Sequence, residues 1–193
     1  MSETATTEQE FDSQSVIVER AIPTDAEGIF EVQRCTWLAT YPNADAGITE
    51  EDIRVRLEGK NGELIPQKVE RCRNGIEATN NERATFVVHD NGRVVGFVAP
   101  VIRDGQRRIG AIYVLPEAQG RGIGRELLER AIEWHGRDED IFLHVASYNQ
   151  SAIEFYKKNG FEVTGAEIKD EIAKLNNYTE IPQIEMVLRA KLT

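Results

Sequence analysis

The sequence predicts an α/β fold, a single mixed sheet with helices on both faces, in one domain. Two observations carry this. Runs rich in β-branched and aromatic residues alternate with helical stripes from Val16 to Arg189. Three of the strand-like runs also follow one another with no helix between them, joined by the tight-turn signals Asp90-Asn91-Gly92 and Asp104-Gly105. The predicted order is β-α-α-β-β-β-α-β-α-β-β, with no internal repeat and no second domain.

Residues 1–14 are polar and acidic and read as a disordered tail, leaving residues 15–193 as the domain. Val16 to Arg20 reads as a short strand. Thr24-Asp25-Ala26-Glu27, just after Pro23, has the form of a capping box, and Ala26, Ile29, Phe30, Gln33 and Trp37 follow at helical spacing up to Pro42. Thr49-Glu50-Glu51-Asp52 opens a second helix with Ile53 and Leu57 on one face. Residues 59–82 are polar, with Gly59, Gly62, Pro66 and Gly75, and predict irregular or short helical structure. The meander is predicted over Ala84 to His89, Val94 to Ile102 and Ile109 to Leu115.

Ile123, Leu127, Leu128, Ala131 and Ile132 make a helical stripe between Arg121 and His135. A strand follows at Ile141 to Ala146. Ser151-Ala152-Ile153-Glu154 is a second capping box, and its helix stops at Lys157, Lys158 and the C-cap Gly160. Phe161 to Ala166 and Gln183 to Arg189 read as the last strands, with residues 167–182 a loop or lid-like connection.

The net charge of −10 disfavours nucleic-acid binding, because it repels phosphates, and weakly favours a cationic substrate. No apolar run approaches the ~20 residues that span a bilayer, and no secretory signal is visible, so no membrane partner and a cytoplasmic location are expected. Cys35 and Cys72 lack disulfide or metal spacing, and His89, His135 and His144 are scattered, so no metal is expected.

The chemistry concentrates between Ile112 and Gly124. A strand ends at Pro116, and a glycine-rich turn, Gly120-Arg121-Gly122-Ile123-Gly124-Arg125, opens a helix. Unpaired N–H groups at a helix N-terminus attract anions, and glycines let the backbone approach them. No Lys-Ser or Lys-Thr follows, which excludes a P-loop. The glycine spacing, and the Val145-Ala146-Ser147 end of the next strand, exclude a dinucleotide fold.

Gln119-Gly120-Arg121-Gly122-Ile123-Gly124 resembles instead the Q/R-x-x-G-x-G/A acyl-CoA motif of the GCN5-related N-acetyltransferase (GNAT) family. Downstream, Asn149 to Phe161 is similar to that family's N-x-x-A-x-x-F-Y-x-x-x-G-F segment. The resemblance is specific over about residues 108–166 and holds in outline from Val16 to Arg189. It implies the GNAT fold, a mixed, mostly antiparallel sheet of about six to seven strands flanked by about four helices.

The resemblance also implies roles. Acetyl-CoA would be the acyl donor, its pantetheine lying along Ile112, Tyr113 and Val114 where that strand splays from its neighbour. Gln119, Gly120, Arg121, Gly122, Ile123, Gly124 and Arg125 would hold the pyrophosphate, and Asn149 would also contact the cofactor. Tyr156 matches the tyrosine that protonates the departing thiolate after direct attack by the amine in a ternary complex. No carboxylate lies on Ile109 to Val114, so the sequence does not identify a general base. Glu117 reads better as a solvated loop residue and His144 as a core or surface histidine.

Trp37 and Tyr41 lie where related enzymes admit their substrate. A primary amine is implied as acceptor, and residues 149–166 and Trp37 to Pro42 look like bacterial polyamine acetyltransferases. A peptide amine, at a protein N-terminus or a lysine, an antibiotic, or a non-catalytic acyl-CoA sensor are the alternatives. A homodimer is expected from the family.

Overall fold

The computed structural model describes residues 16–59, 61–166, 168, 175 and 180–191. Its strands are β1 (Glu19–Arg20), β2 (Phe86–Asp90), β3 (Arg93–Arg103), β4 (Gln106–Val114), β5 (Ile141–Ala146), β6 (Glu162–Val163) and β7 (Gln183–Leu188). The helices are α1 (Ala26–Thr40), α2 (Glu50–Leu57), α3 (Pro66–Glu77), α4 (Ile123–His135) and α5 (Gln150–Lys158). One seven-stranded sheet runs β1-β2-β3-β4-β5-β7-β6, and only β4 and β5 pair in parallel. The expected mixed, mostly antiparallel sheet is therefore present, with five α-helices among the described residues where about four were expected. Among the described residues, no helix is long and apolar enough to cross a membrane.

The two predicted hairpins form as read. Asn91 and Gly92 have φ of 50° and 77°, and Asp104 and Gly105 have 53° and 76°. Two successive left-handed residues match the twist of the flanking strands, which is why Asn, Asp and Gly stand there. Between β3 and β4 the register shifts at Ala99/Pro100, opposite Gly110. Pro100 has no N–H to give the ladder, and β4 carries one extra residue at this bulge. The alternation of faces on β4 shifts with it, so that Tyr113 joins the cluster packed against α1.

Past the bulge, β4 parts from β5. The pair is held only at Arg107↔Ile141, Arg108↔Phe142 and Ile109↔Leu143. Beyond those residues β4 stays with β3 as far as Val114↔Gly96, while β5 stays with β7 as far as Ala146↔Gln183. The sheet is thus forked at its centre. The main core includes Phe86, Val98, Leu115, Leu127, Leu128 and Leu143, and a second cluster gathers Phe30, Trp37, Ile53, Leu57, Ala146 and Ile181 on the α1–α2 side.

Several sequence expectations are corrected. Thr24 does not cap α1: a 3₁₀ turn, Pro23–Asp25, comes first, and Asp25 Oδ2 accepts from the Ile22 N–H at 2.9 Å. Pro23 starts that turn because its φ is already set. Ser151 lies inside α5, and Asn149 is the N-cap, accepting from Ala152 N at 3.1 Å. At the other end Asn159 is the C-cap, with Gly160 following it at φ +89°. The polar segment 59–82 holds a full helix, α3, whose Ile76 is buried while Val69 and Cys72 are half-buried against the core. The strand expected from Phe161 to Ala166 pairs only at Glu162 and Val163. The tail 1–14, and most of the 167–182 connection, lie outside the described residues.

His135, at the C-terminal end of α4, donates from Nε2 to the Arg108 carbonyl at 2.9 Å. Among the described residues its Nδ1 is buried without a partner. Burial lowers its pKa, so the folded ring resists a second proton that the unfolded chain accepts below about pH 6.5. Stability therefore falls as pH drops through that value, because the unfolded state then binds more protons. Urea midpoints taken at pH ~7.5 and ~5.5 should show this loss, and His135→Gln should reduce it.

Candidate active site

A second 3₁₀ turn, Pro116–Ala118, carries the chain from β4 towards α4. Gly120 and Gly122 follow with φ of +77° and +82°, and Gly122 is the N-cap of α4. A side chain in that conformation costs about 1–2 kcal/mol. A Cβ at either position would meet nothing within 4 Å, so the backbone is openly approachable there. The first bonds of α4 run from Arg125 N and Glu126 N to the Gly122 carbonyl, at 3.0 and 3.2 Å. Among the described residues, the N–H groups of Gly120, Arg121, Gly122, Ile123 and Gly124 donate to no protein acceptor. Five unspent donors at the positive end of a helix form a cradle for an anion such as a pyrophosphate.

The predicted side chains around this loop are engaged with the protein. Arg121 pairs with Asp90 at 2.6 Å, and Arg125 with Glu129 at 2.8 Å. Both pairs are largely exposed and are worth little, so either arginine can turn to a stronger anion. Gln119 donates from Nε2 to the Val114 carbonyl at 3.2 Å. Gly124 lies beside Phe155 and Val114, where a Cβ would make ordinary contacts at 3.7 and 3.9 Å.

The fork lies next to this loop. Ile112, Tyr113 and Val114 are half-buried and, on the β5 side, unpaired. A strand edge in that state offers its N–H and C=O groups to an extended amide chain. Tyr156 comes into the main core from α5, 7% exposed, with the Phe155 and Phe161 rings at 5.3 and 5.8 Å. Burial, helped by the neighbouring Tyr113, pushes its pKa well above the usual phenol value. The hydroxyl therefore keeps its proton at neutral pH.

Tyr113 faces the end of α1, and its hydroxyl lies 3.3 Å from that of Tyr41. Burial is the main cause that raises both phenol pKa values. The Trp37 indole N–H lies close to the Tyr113 hydroxyl but makes no full hydrogen bond. Tyr148, from the loop after β5, donates to the Tyr41 carbonyl at 2.8 Å. The end of α1 is thereby tied to both arms of the fork. The sequence reading placed Trp37 and Tyr41 near the acceptor but missed Tyr148 and the hydroxyl pair. Tyr148 stands just ahead of the second motif, and no spacing rule singles it out.

The two candidate bases are placed away from such a role. Glu117 is exposed and pairs with Arg93 at 3.4 Å. His144 receives Arg108 Nη1 on Nε2 at 2.9 Å, beside Glu185 at 3.3 Å. An arginine can only donate, so it occupies the lone pair that a base would use. Asn149 uses its oxygen as the α5 cap, which leaves its amide N–H groups for other partners. Among the described residues no group of side chains is arranged to hold a metal ion.

The sequence pattern of the acetyltransferase (GNAT) family matches residues 49–161, more than half of the chain. The chain belongs to that family. Within this GNAT chain, 92 residues are 42% identical to an uncharacterised N-acetyltransferase of Methanocaldococcus jannaschii, covering 42% of this chain and 40% of that protein. The peptidyl-lysine N-acetyltransferase YiaC of Escherichia coli is 35% identical over 86 residues, covering 45% of this chain and 55% of YiaC. The chain thus spans about half the length, or less, of these relatives. The crystal structure of PaiA N-acetyltransferase from Thermoplasma acidophilum, in complex with coenzyme A, superposes with a TM-score of 0.67. It covers 91% of this chain and 99% of PaiA at 21% identity, a likeness of fold.

The loop geometry gives a paired prediction. Gly122→Ala should strain the cradle and weaken coenzyme A binding, at a cost of about 1–2 kcal/mol in backbone conformation. Gly124→Ala, in helical conformation with only ordinary contacts, should bind nearly as the parent does. Calorimetric titration of both variants with coenzyme A distinguishes them.

Proposed function

We propose that this protein transfers the acetyl group of acetyl-CoA to the side-chain amine of a peptide lysine, in a ternary complex. The observation that carries the transfer reading is the row of unspent N–H groups from Gly120 to Gly124 beside the unpaired edge of β4. These residues fit coenzyme A, which offers a pyrophosphate to the loop and amides to the strand edge. In this reading the loop and Arg121 and Arg125 bind the pyrophosphate. Ile112, Tyr113 and Val114 orient the pantetheine, and Asn149 adds a contact through its amide.

Acetyl-CoA supplies the activated thioester. Tyr156 Oη holds the proton that the departing sulfur requires, and its raised pKa keeps that proton in place. In this reading Tyr113, Tyr41 and Trp37 form an aromatic wall for the acceptor. That wall suits the aliphatic stem of a lysine, and relatives 33–35% identical are named peptidyl-lysine N-acetyltransferases. A polyamine acceptor is the second reading, favoured by the net charge of −10.

Thiol release from acetyl-CoA would be measured with lysine peptides, N-terminal peptides, spermidine and aminoglycosides as acceptors. Turnover on lysine peptides is expected. Tyr156→Phe should lower kcat about 100-fold or more while leaving acetyl-CoA binding intact. Turnover confined to spermidine replaces the lysine reading. Failure of the protein to bind acetyl-CoA removes the transferase reading altogether.

A further inference from the structure

Trp37 links the tyrosines of the fork to a cation on α2. Arg56 on α2 holds its guanidinium carbon 5.7 Å from the Trp37 ring centre. Lys68 and Arg71 lie three residues apart in the first turns of α3, on one side of that helix. Lys68 is half-buried, and after burial itself the charges of Arg56 and Arg71 are what lower its pKa, so all three cations are within electrostatic reach.

The neighbouring cations are matched. Arg34 pairs with Glu31 and Glu58 at 2.6 Å each, Arg54 with Glu50 and Glu58 at 2.5 and 2.9 Å, and Arg73 with Glu70. Among the described residues, neither Lys68 nor Arg71 has an ion-pair or hydrogen-bond partner. The first turn of α3 has no acidic residue and no side-chain cap, so its positive end adds to the same field. Arg71 borders an open groove of about 520 Å³ with Pro66, Gln67 and Asn74. Glu70 also borders it and pairs with Arg73 on the exposed face of α3.

In a chain of net charge −10, Lys68 and Arg71 are two cations one turn apart with no partner among the described residues, a local cost that an anion would offset. We propose that Lys68, Arg71 and the groove beside them dock the acceptor, and that the acceptor is a peptide with acidic residues flanking its target lysine. This rests on the lysine reading and names the substrate class within it. Complementary charge acts here on encounter and selectivity more than on chemistry, so the effect should be strong at low salt and shrink with ionic strength.

The test uses dye-labelled lysine peptides that differ only in acidic, neutral or basic flanks. Their binding is measured by anisotropy at low and physiological salt, with thiol release followed in parallel. The acidic peptide should bind at least about tenfold more tightly than the neutral one at low salt. The preference should vanish in Lys68→Glu/Arg71→Glu with acetyl-CoA binding unchanged, and Lys68→Gln/Arg71→Gln replaces that variant if it does not fold. Equal binding of all three peptides overturns the docking site, and their acetylation would leave the lysine reading standing. Acidic-peptide binding without turnover sustains the docking site and counts against lysine transfer. Displacement by millimolar inorganic phosphate alone, with no peptide preference, overturns the peptide and reassigns the cations to a small anion.

Discussion

The parting of β4 from β5 is the constraint on which the rest of the molecule depends. Three residue pairs hold these two strands together, and past Ile109 each keeps only its outer neighbour. The bulge opposite Pro100 lies where the pairing stops. Parallel pairing needs evenly spaced, slanted bonds, and an extra residue on β4 breaks that spacing. The fork exposes a strand edge within the sheet rather than at its rim, beside the start of α4. An open edge and an unspent helix N-terminus are thereby neighbours, which neither element achieves alone.

The fork is bordered by the phenols of Tyr156, Tyr113 and Tyr41 and by the Trp37 indole. Tyr156, Tyr113 and Tyr41 are all driven towards their neutral forms by burial, so they present hydroxyl groups and aromatic faces to whatever enters. Charged side chains pair on the α1–α2 surface, and on α3 Lys68 and Arg71 have no partner among the described residues. The ion pair of Arg108 and Glu185 across β4, β5 and β7 stands on the closed side of the fork and carries His144 with it. It reinforces the sheet where the strands still pair.

Local signals in the sequence were strong where the physics is local. Asn-Gly and Asp-Gly marked both hairpins because left-handed residues are a backbone requirement of that turn. Gly120 and Gly122 marked the left-handed turn before α4 for the same reason. Helix starts were found, but their capping residues at α1 and α5 were misplaced by one or two positions. At α5 an asparagine supplies the hydrogen bond expected of the serine, and at α1 a 3₁₀ turn begun by Pro23 displaces the threonine from the cap. The helix α3 was missed as a full element because its buried face is only Val69, Cys72 and Ile76, which packing against α1 completes.

Fold class, the succession of elements apart from α3 and the glycine turn that opens α4 were legible in the chain itself, since each follows from residues within a few positions of one another. The splay of β4 from β5 was implied only by the family resemblance, and the meeting of Tyr41 with Tyr113, the latch from Tyr148 and Arg56 beside Trp37 were marked by no local pattern. They join residues separated by up to 107 positions, and their contacts exist only once α1, β4 and the loop after β5 are packed together. No periodicity records such a meeting, because it is set by the register of the sheet and the shape of the core rather than by neighbours along the chain.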